Sequence, residues 1–224
     1  HDGRKYEKEN GYVVWVLGPA AVFSKGSRDA MAKLIEEGYV DALLGGNAVA
    51  THDLEAGMFN TALGQDIYTL EPKHNGHYHH LDLLNKARKA SSIEKLIESE
   101  NINSGIIHAC VKNNVPIVLA GSIRDDGPLP IVISDVYKAQ DMMRGHIKKA
   151  TTVICLATQL HSIATGNMTP SYRVMDDKIR PIYFYSVDVS EFAVNKLRDR
   201  GSLEVTTIVT NIQDFLVKLK ENLV

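Results

Sequence analysis

The chain has 224 residues, of which 44% are hydrophobic and 23% charged, with 25 basic against 27 acidic side chains and a net charge of -2. These values exclude a disordered chain and a globally basic nucleic-acid binder, and the length suffices for one large domain or two small ones. No apolar run reaches about 18 residues, which excludes a helical membrane span.

Residues 1–10 are polar and carry no apolar core, so they are no signal peptide. They read as a linker or N-terminal remnant, with a single domain over 11–224. A segment of a longer protein is expected on the N-terminal side. Tyr12–Leu17 is a short β-rich run stopped by Gly18-Pro19, which predicts a buried strand. Residues 26–37 place Ala30, Met31, Leu34 and Ile35 on one helical face, with Gly38 beyond the end. Val40–Leu44 is a second strand ended by Gly45-Gly46, and a helix is expected over 49–63. Residues 64–78 form a polar loop, followed by helices over 79–91 and 92–112.

Val115–Ala120 is a third strand, and 122–130 a loop with two prolines and a glycine. A helix over 135–149 ends in Lys148-Lys149, favourable at the negative end of its dipole. Strands follow at Thr151–Leu156 and Tyr183–Val187. A helix over 190–200 has Ser190 as its N-cap and Gly201 beyond it. Leu203–Val209 is the sixth strand, and the last helix covers 211–222. Short continuous Val/Ile strands separated by helices predict an α/β fold, a parallel sheet covered on both faces.

In such sheets ligands bind beyond the carboxyl ends of the strands. The segments there are Gly18-Pro19, Gly45-Gly46-Asn47-Ala48, Gly121 to Pro128, Ala157 to His161, and Asp188-Val189-Ser190. The second is either an ordinary strand-to-helix turn or a diphosphate cradle built on free helix N–H groups. Asp188 is either a nucleotide ribose acceptor or a helix cap. Asp125-Asp126 is either a solvated turn or a base or amine anchor. Four of the nine histidines fall in His74 to His80. That cluster is a polar loop, a substrate-facing lid or a zinc site, but no paired cysteine or HExxH supports the metal. Cys110 and Cys155 lie in apolar runs and read as core residues of a reduced protein, which fits the cytoplasm.

Val16 to Ala20, Leu44 to Glu55, Gly121 to Pro130 and Ala157 to Pro170 resemble the archaeal LOR/SDH conserved proteins. That family includes archaeal-type ornithine cyclodeaminases and the C-terminal portion of cyanobacterial arginine dihydrolase fusions. The resemblance runs from about residue 11 onward and suggests a methanogen source. It implies a deoxyhypusine-synthase-like, Rossmann-like NAD-binding domain. Carried over by motif, the cofactor NAD meets Asn47, Ala48, Asp126, Thr158, Gln159, Leu160 and His161, with Asp188 and Val189 near the adenosine ribose. The implied reaction converts L-ornithine to L-proline and ammonia. A hydride leaves the α-carbon for the nicotinamide, the δ-amine closes a five-membered ring, ammonia departs and the hydride returns.

No motif assigns the acid or base. Asp126 is the first candidate, with His77 and His80 next and His161 behind them. No metal is expected, and the expected partners are the amino-acid substrate and a second copy of the chain. Two other classes stay open: an NAD-binding module without turnover, and an NAD-dependent amino-acid dehydrogenase that accumulates NADH. A zinc hydrolase built on the His-rich loop would carry stoichiometric metal.

Overall fold

The computed structural model describes residues 2–175, 177–198 and 204–224. Seven strands form the main sheet: β1 (Val13–Leu17), β2 (Ala42–Gly46), β3 (Ile117–Ala120), β4 (Val132–Ile133), β5 (Thr152–Leu156), β6 (Tyr183–Asp188) and β7 (Val205–Val209). Their order is β7-β6-β5-β1-β2-β3-β4, and every neighbouring pair is parallel. The chain winds outward from β1 to β4, then returns to lay β5 against the other side of β1. That reversal between β1 and β5 is the topological switch point, where the loops leaving two adjacent strands part and open a crevice.

The helices are α1 (Asp2–Asn10), α2 (Lys25–Glu36), α3 (Asn47–Phe59), α4 (His79–Ala90), α5 (Ile93–Ser99), α6 (Ile106–Lys112), α7 (Val136–Ile147), α8 (Gln159–Met168), α9 (Glu191–Arg198) and α10 (Ile212–Leu223). All five residues of β1 are buried. Val13, Trp15 and Leu17 join a core with side chains of α2, α3, α6 and α10. Val14 and Val16 join a second core with Met143 and Ile147 of α7. Burial on both faces explains the continuous apolar run, since neither side of the strand meets water. No helix among the described residues is long and apolar enough to cross a membrane.

Several expected boundaries move for physical reasons. Residues 2–10, expected as a linker or N-terminal remnant, are helical, and Glu7 ties them to the sheet's amino edge. Its carboxylate accepts from the Thr151 and Thr152 hydroxyls at 2.6 and 2.9 Å and pairs with Arg180 at 2.5 Å. Gly45 and Gly46 do not stop β2. They extend it, paired with Leu119 and Ala120 of β3. The single helix expected over 92–112 is two, α5 and α6. Between them Asn101 and Gly105 hold φ of 53° and 112°, a left-handed backbone no α-helix tolerates. The short β4, the helix α8 and a hairpin of Tyr172–Met175 with Lys178–Pro181 carry no sequence expectation at all. Gly201 and Leu203, expected as a helix stop and a strand start, lie outside the described residues.

Both cysteines are free and buried. Burial pushes the Cys155 thiol up to about 12 and raises that of Cys110 as well. Neither forms thiolate near neutral pH, so thiol reagents at pH 8 are expected to label both in urea and neither in the native protein. Rapid native labelling would show that one of them is reachable.

Candidate functional site

The carboxyl ends of β1, β2 and β3 open onto a cavity of about 580 Å³. Small-molecule sites commonly span about 300–1,000 Å³. Its lining includes Leu17, Gly46, Asn47, Ala48, Gly121, Asp126, Thr158 and His161. At the switch point the loops after β1 and β5 nearly touch. Gly18 donates its N–H to Leu156 O at 2.8 Å, and a Cβ on Gly18 would stand 1.8 Å from Ala157 O. Only a residue without a side chain fits there.

The N-terminus of α3 opens into this cavity. Its cap residue is Gly46, which has no side chain to satisfy the first N–H groups. Those of Asn47, Ala48 and Val49 have no acceptor within the helix. They present a row of donors at the positive end of the dipole, an arrangement suited to a diphosphate. The Asn47 side chain is engaged elsewhere. Its Nδ2 donates to Gly127 O at 3.0 Å, and its Oδ1 accepts from Leu129 N at 3.0 Å. Asn47 thus fixes the loop that carries Asp126, and what it can offer a ligand is its backbone. Across the crevice Thr158 caps α8, accepting from His161 N at 3.3 Å.

His161 packs beside Gly46, where a Cβ would meet its Cε1 at 3.0 Å. Burial lowers its pKa, so the ring is neutral at pH 7. A histidine held below its unfolded value destabilises the fold as acid protonates the unfolded chain first. Stability is therefore expected to fall as pH drops below about 6.5, levelling off once pH passes the folded value. His161→Asn should flatten that part of a plot of urea midpoint against pH, and an unchanged slope would refute the assignment.

The expected catalytic residues separate. His80 lines the cavity and its Nε2 meets Asp126 Oδ2 at 2.9 Å, with side chains 14% and 63% exposed. His77 is exposed, lies tilted against Tyr78 with ring centroids 4.0 Å apart, and lies outside the cavity lining. Leu160 lines the cavity, whereas Gln159, Asp188 and Val189 do not. Asp188 ends β6, and its Oδ1 accepts from Ser190 N at 3.0 Å in the turn before α9. The histidines of the His-rich segment turn to different partners. His79 bonds Thr61, His80 bonds Asp126, and among the described residues no three ligating side chains converge.

His52 and Glu55 were not among the candidates read from the sequence. Their i, i+3 spacing on a helix that starts at the sheet's carboxyl edge was the available signal. His52 lines the cavity, and its Nδ1 meets Glu55 Oε2 at 2.8 Å.

Residues 2–219 match the family model of the arginine dihydrolase ArgZ-like C-terminal Rossmann fold. The chain belongs to this family. An ornithine cyclodeaminase of Methanopyrus kandleri is 46% identical over 98% of this chain and 51% of its own length. The ArgZ-like chain therefore spans about half the length of that curated relative. The crystal structure of a conserved LOR/SDH protein from Methanococcus maripaludis superposes with a TM-score of 0.89 at 43% identity, over 100% of this chain and 64% of that one. The ternary complex of AgrE with ornithine and NAD+ superposes with a TM-score of 0.87 at 43% identity, over 98% of this chain and 31% of that one. The seven-stranded parallel sheet is thus the Rossmann-type architecture of the ArgZ-like C-terminal family, as the resemblance implied.

Proposed function

We propose that this chain is the NAD-binding portion of an ornithine cyclodeaminase, a cytoplasmic lyase that makes L-proline and ammonia from L-ornithine. The observation that carries this reading is one cavity with two kinds of wall. One wall is an uncapped helix N-terminus beside glycine-lined strand ends, fitted to a dinucleotide diphosphate. The other holds His80 paired with Asp126, groups fitted to proton transfer on an amine. The relatives that cover nearly all of this chain carry the same activity in their names, and one was solved with ornithine and NAD+.

In this reading the backbone of Asn47 and Ala48 faces the diphosphate, with Thr158, Gln159, Leu160 and His161 on the opposite side of the crevice. Asp188 and Val189, beyond the concave part, receive the adenosine ribose. When bound, NAD supplies a hydride acceptor that gives back what it takes, so the reaction is redox-neutral overall. The protein orients the substrate, excludes water and moves protons. Asp126 and His80 lie where the amino-acid end would sit. A homodimer is the expected assembly, which light scattering tests.

The decisive experiment incubates the protein with NAD and carbon-labelled ornithine, following carbon NMR and NADH absorbance together. Proline without net NADH is expected. NADH with an oxo acid would make the protein a dehydrogenase, and bound NAD without conversion would make it a binding module. Asp126→Asn is expected to lower turnover by about 10²-fold or more. Full turnover in that variant would remove Asp126 from the proton chemistry.

A further inference from the structure

The charged residues of His52-Asp53-Leu54-Glu55 divide between two jobs. Asp53 turns inward to Arg28 at 2.8 Å and holds no part of the cavity. His52 lines it, with Glu55 buried behind the ring. The Glu55 carboxylate is fully buried, and among the described residues no lysine or arginine contacts it. Four donors converge on it instead. Oε2 accepts from His52 Nδ1 at 2.8 Å and from Leu63 N at 3.0 Å. Oε1 accepts from the Thr61 hydroxyl at 2.8 Å and from Gly64 N at 3.1 Å. Burial alone would raise its pKa, but bonds from His52, Gly64 and Thr61 outweigh that and hold it below the ordinary carboxylate value.

The backbone confirms how firmly this carboxylate is gripped. Leu63 and Gly64 form the tip of a hairpin between Thr61–Ala62 and Gln65–Asp66, and both have positive φ, 52° and 75°. A leucine rarely adopts that conformation. Here it aims two successive N–H groups at Glu55.

Leu63 N also lies 3.3 Å from His52 Nδ1, but its N–H is nearer Glu55 Oε2 at 3.0 Å, and the shortest contact of Nδ1 is to that carboxylate at 2.8 Å. An ionised carboxylate only accepts, so Nδ1 of His52 carries a hydrogen. The neutral ring then has its lone pair on Nε2. Among the described residues no hydrogen bond occupies that nitrogen, and it is not sealed in the interior. The ring is steadied by Phe23 at 6.1 Å on one side and His80 at 6.0 Å on the other, centroid to centroid. His80 is the opposite case. Its Nε2 is taken by Asp126, and its Nδ1 is buried without a partner. Asp126 Oδ2 is shared with His80, so that pair holds and relays protons but presents no bare ring nitrogen to the cavity.

We infer that His52 Nε2 accepts the proton of the substrate's α-ammonium group, with Glu55 as its positioning residue. This rests on the proposed amino-acid chemistry of the site. In the step, one N–H bond of the ammonium breaks and its electron pair stays on the substrate nitrogen. A new N–H bond forms at Nε2, and the imidazolium is neutralised by Glu55. The same proton then leaves with departing ammonia, restoring the ring. The titratable groups facing His52 are Glu55 from its own helix and His80 from α4, which is itself paired with Asp126 from the loop after β3.

The test has two parts. Long-range nitrogen-15 NMR of the unliganded protein near pH 7.5 should find His52 protonated at Nδ1 and bare at Nε2. Glu55→Gln should mix the two tautomers. A wild-type ring bare at Nδ1 overturns the proposal. With NAD and ornithine, His52→Ala and the bulkier His52→Gln should each lose at least about 10²-fold in kcat. Both should keep the wild-type circular dichroism and NAD affinity. Added imidazole should restore part of the rate to His52→Ala but not to His52→Gln, which fills the space. Glu55→Gln should lower kcat with KM little changed, and Glu55→Asp should recover some of the loss. An active wild type with an unimpaired His52→Ala, or one beyond rescue, overturns the role of His52 alone. A wild type that leaves ornithine unchanged overturns the functional reading and the substrate named here, while the tautomer result still reports whether the His52–Glu55 pair is built as described.

Discussion

Gly18→Ala is expected to weaken NAD binding by more than about tenfold and to cost about 1–3 kcal/mol of stability, the usual penalty of overpacking. The added Cβ would meet Ala157 O at 1.8 Å, and the atom it meets is backbone. A flexible side chain could swing aside, but a peptide group cannot. Ala157 has little room to yield, since it holds φ of 52° between the end of β5 and the Thr158 cap of α8. The hydrogen bond from Gly18 N to Leu156 O would stretch, and the two loops that frame the crevice would part. Calorimetric titration with NAD and urea unfolding measure the two effects. Wild-type affinity in a folded Gly18→Ala protein would show that the switch-point crevice is not the cofactor site.

Asp53→Ala is expected to destabilise the fold by about 3–5 kcal/mol, the range for a buried ion pair robbed of one partner. Arg28 and Asp53 are 2% and 1% exposed. Arg28 donates to Asp53 Oδ1 at 2.8 Å and Asp53 O at 2.9 Å, and Ile107 N donates to Asp53 Oδ2 at 2.7 Å. One carboxylate thus joins α2, α3 and the start of α6. Removing it strands a guanidinium in the interior and uncaps α6 together. Replacing both charges with apolar residues should recover part of the loss, because no unpaired charge then remains. A drop below about 1 kcal/mol in Asp53→Ala by urea unfolding would mean that water reaches the pair.

These two predictions concern residues whose importance was unevenly visible. Gly18 follows an apolar run and precedes a proline, so its place at a strand end was legible. That it abuts Ala157 was not, because the two are far apart in the chain. Asn47 was expected as a ligand contact from its place after β2. That its side chain secures the Gly127–Leu129 backbone, a partner some 80 positions away, was not legible there. His77 and His80 looked alike within one histidine-rich stretch. Helix α4 carries His80 to the cavity, while His77 stays in the turn before it. The short β4 escaped notice because two residues hold no periodicity.

The sequence by itself determined the alternation of strands and helices, the parallel sheet and the edge where the chemistry-bearing loops gather. Those properties follow from runs and spacings within about ten residues, which covalent geometry converts directly into buried faces. Only the tertiary structure decided which polar groups meet. The fate of Glu55 depends on a hairpin tip folding over it, and that of His52 on the Glu55 carboxylate it meets there. A buried carboxylate takes whatever donors packing brings within about 3 Å. Packing sums contacts over the whole chain, so the tautomer of one imidazole is set by residues that no local pattern connects to it.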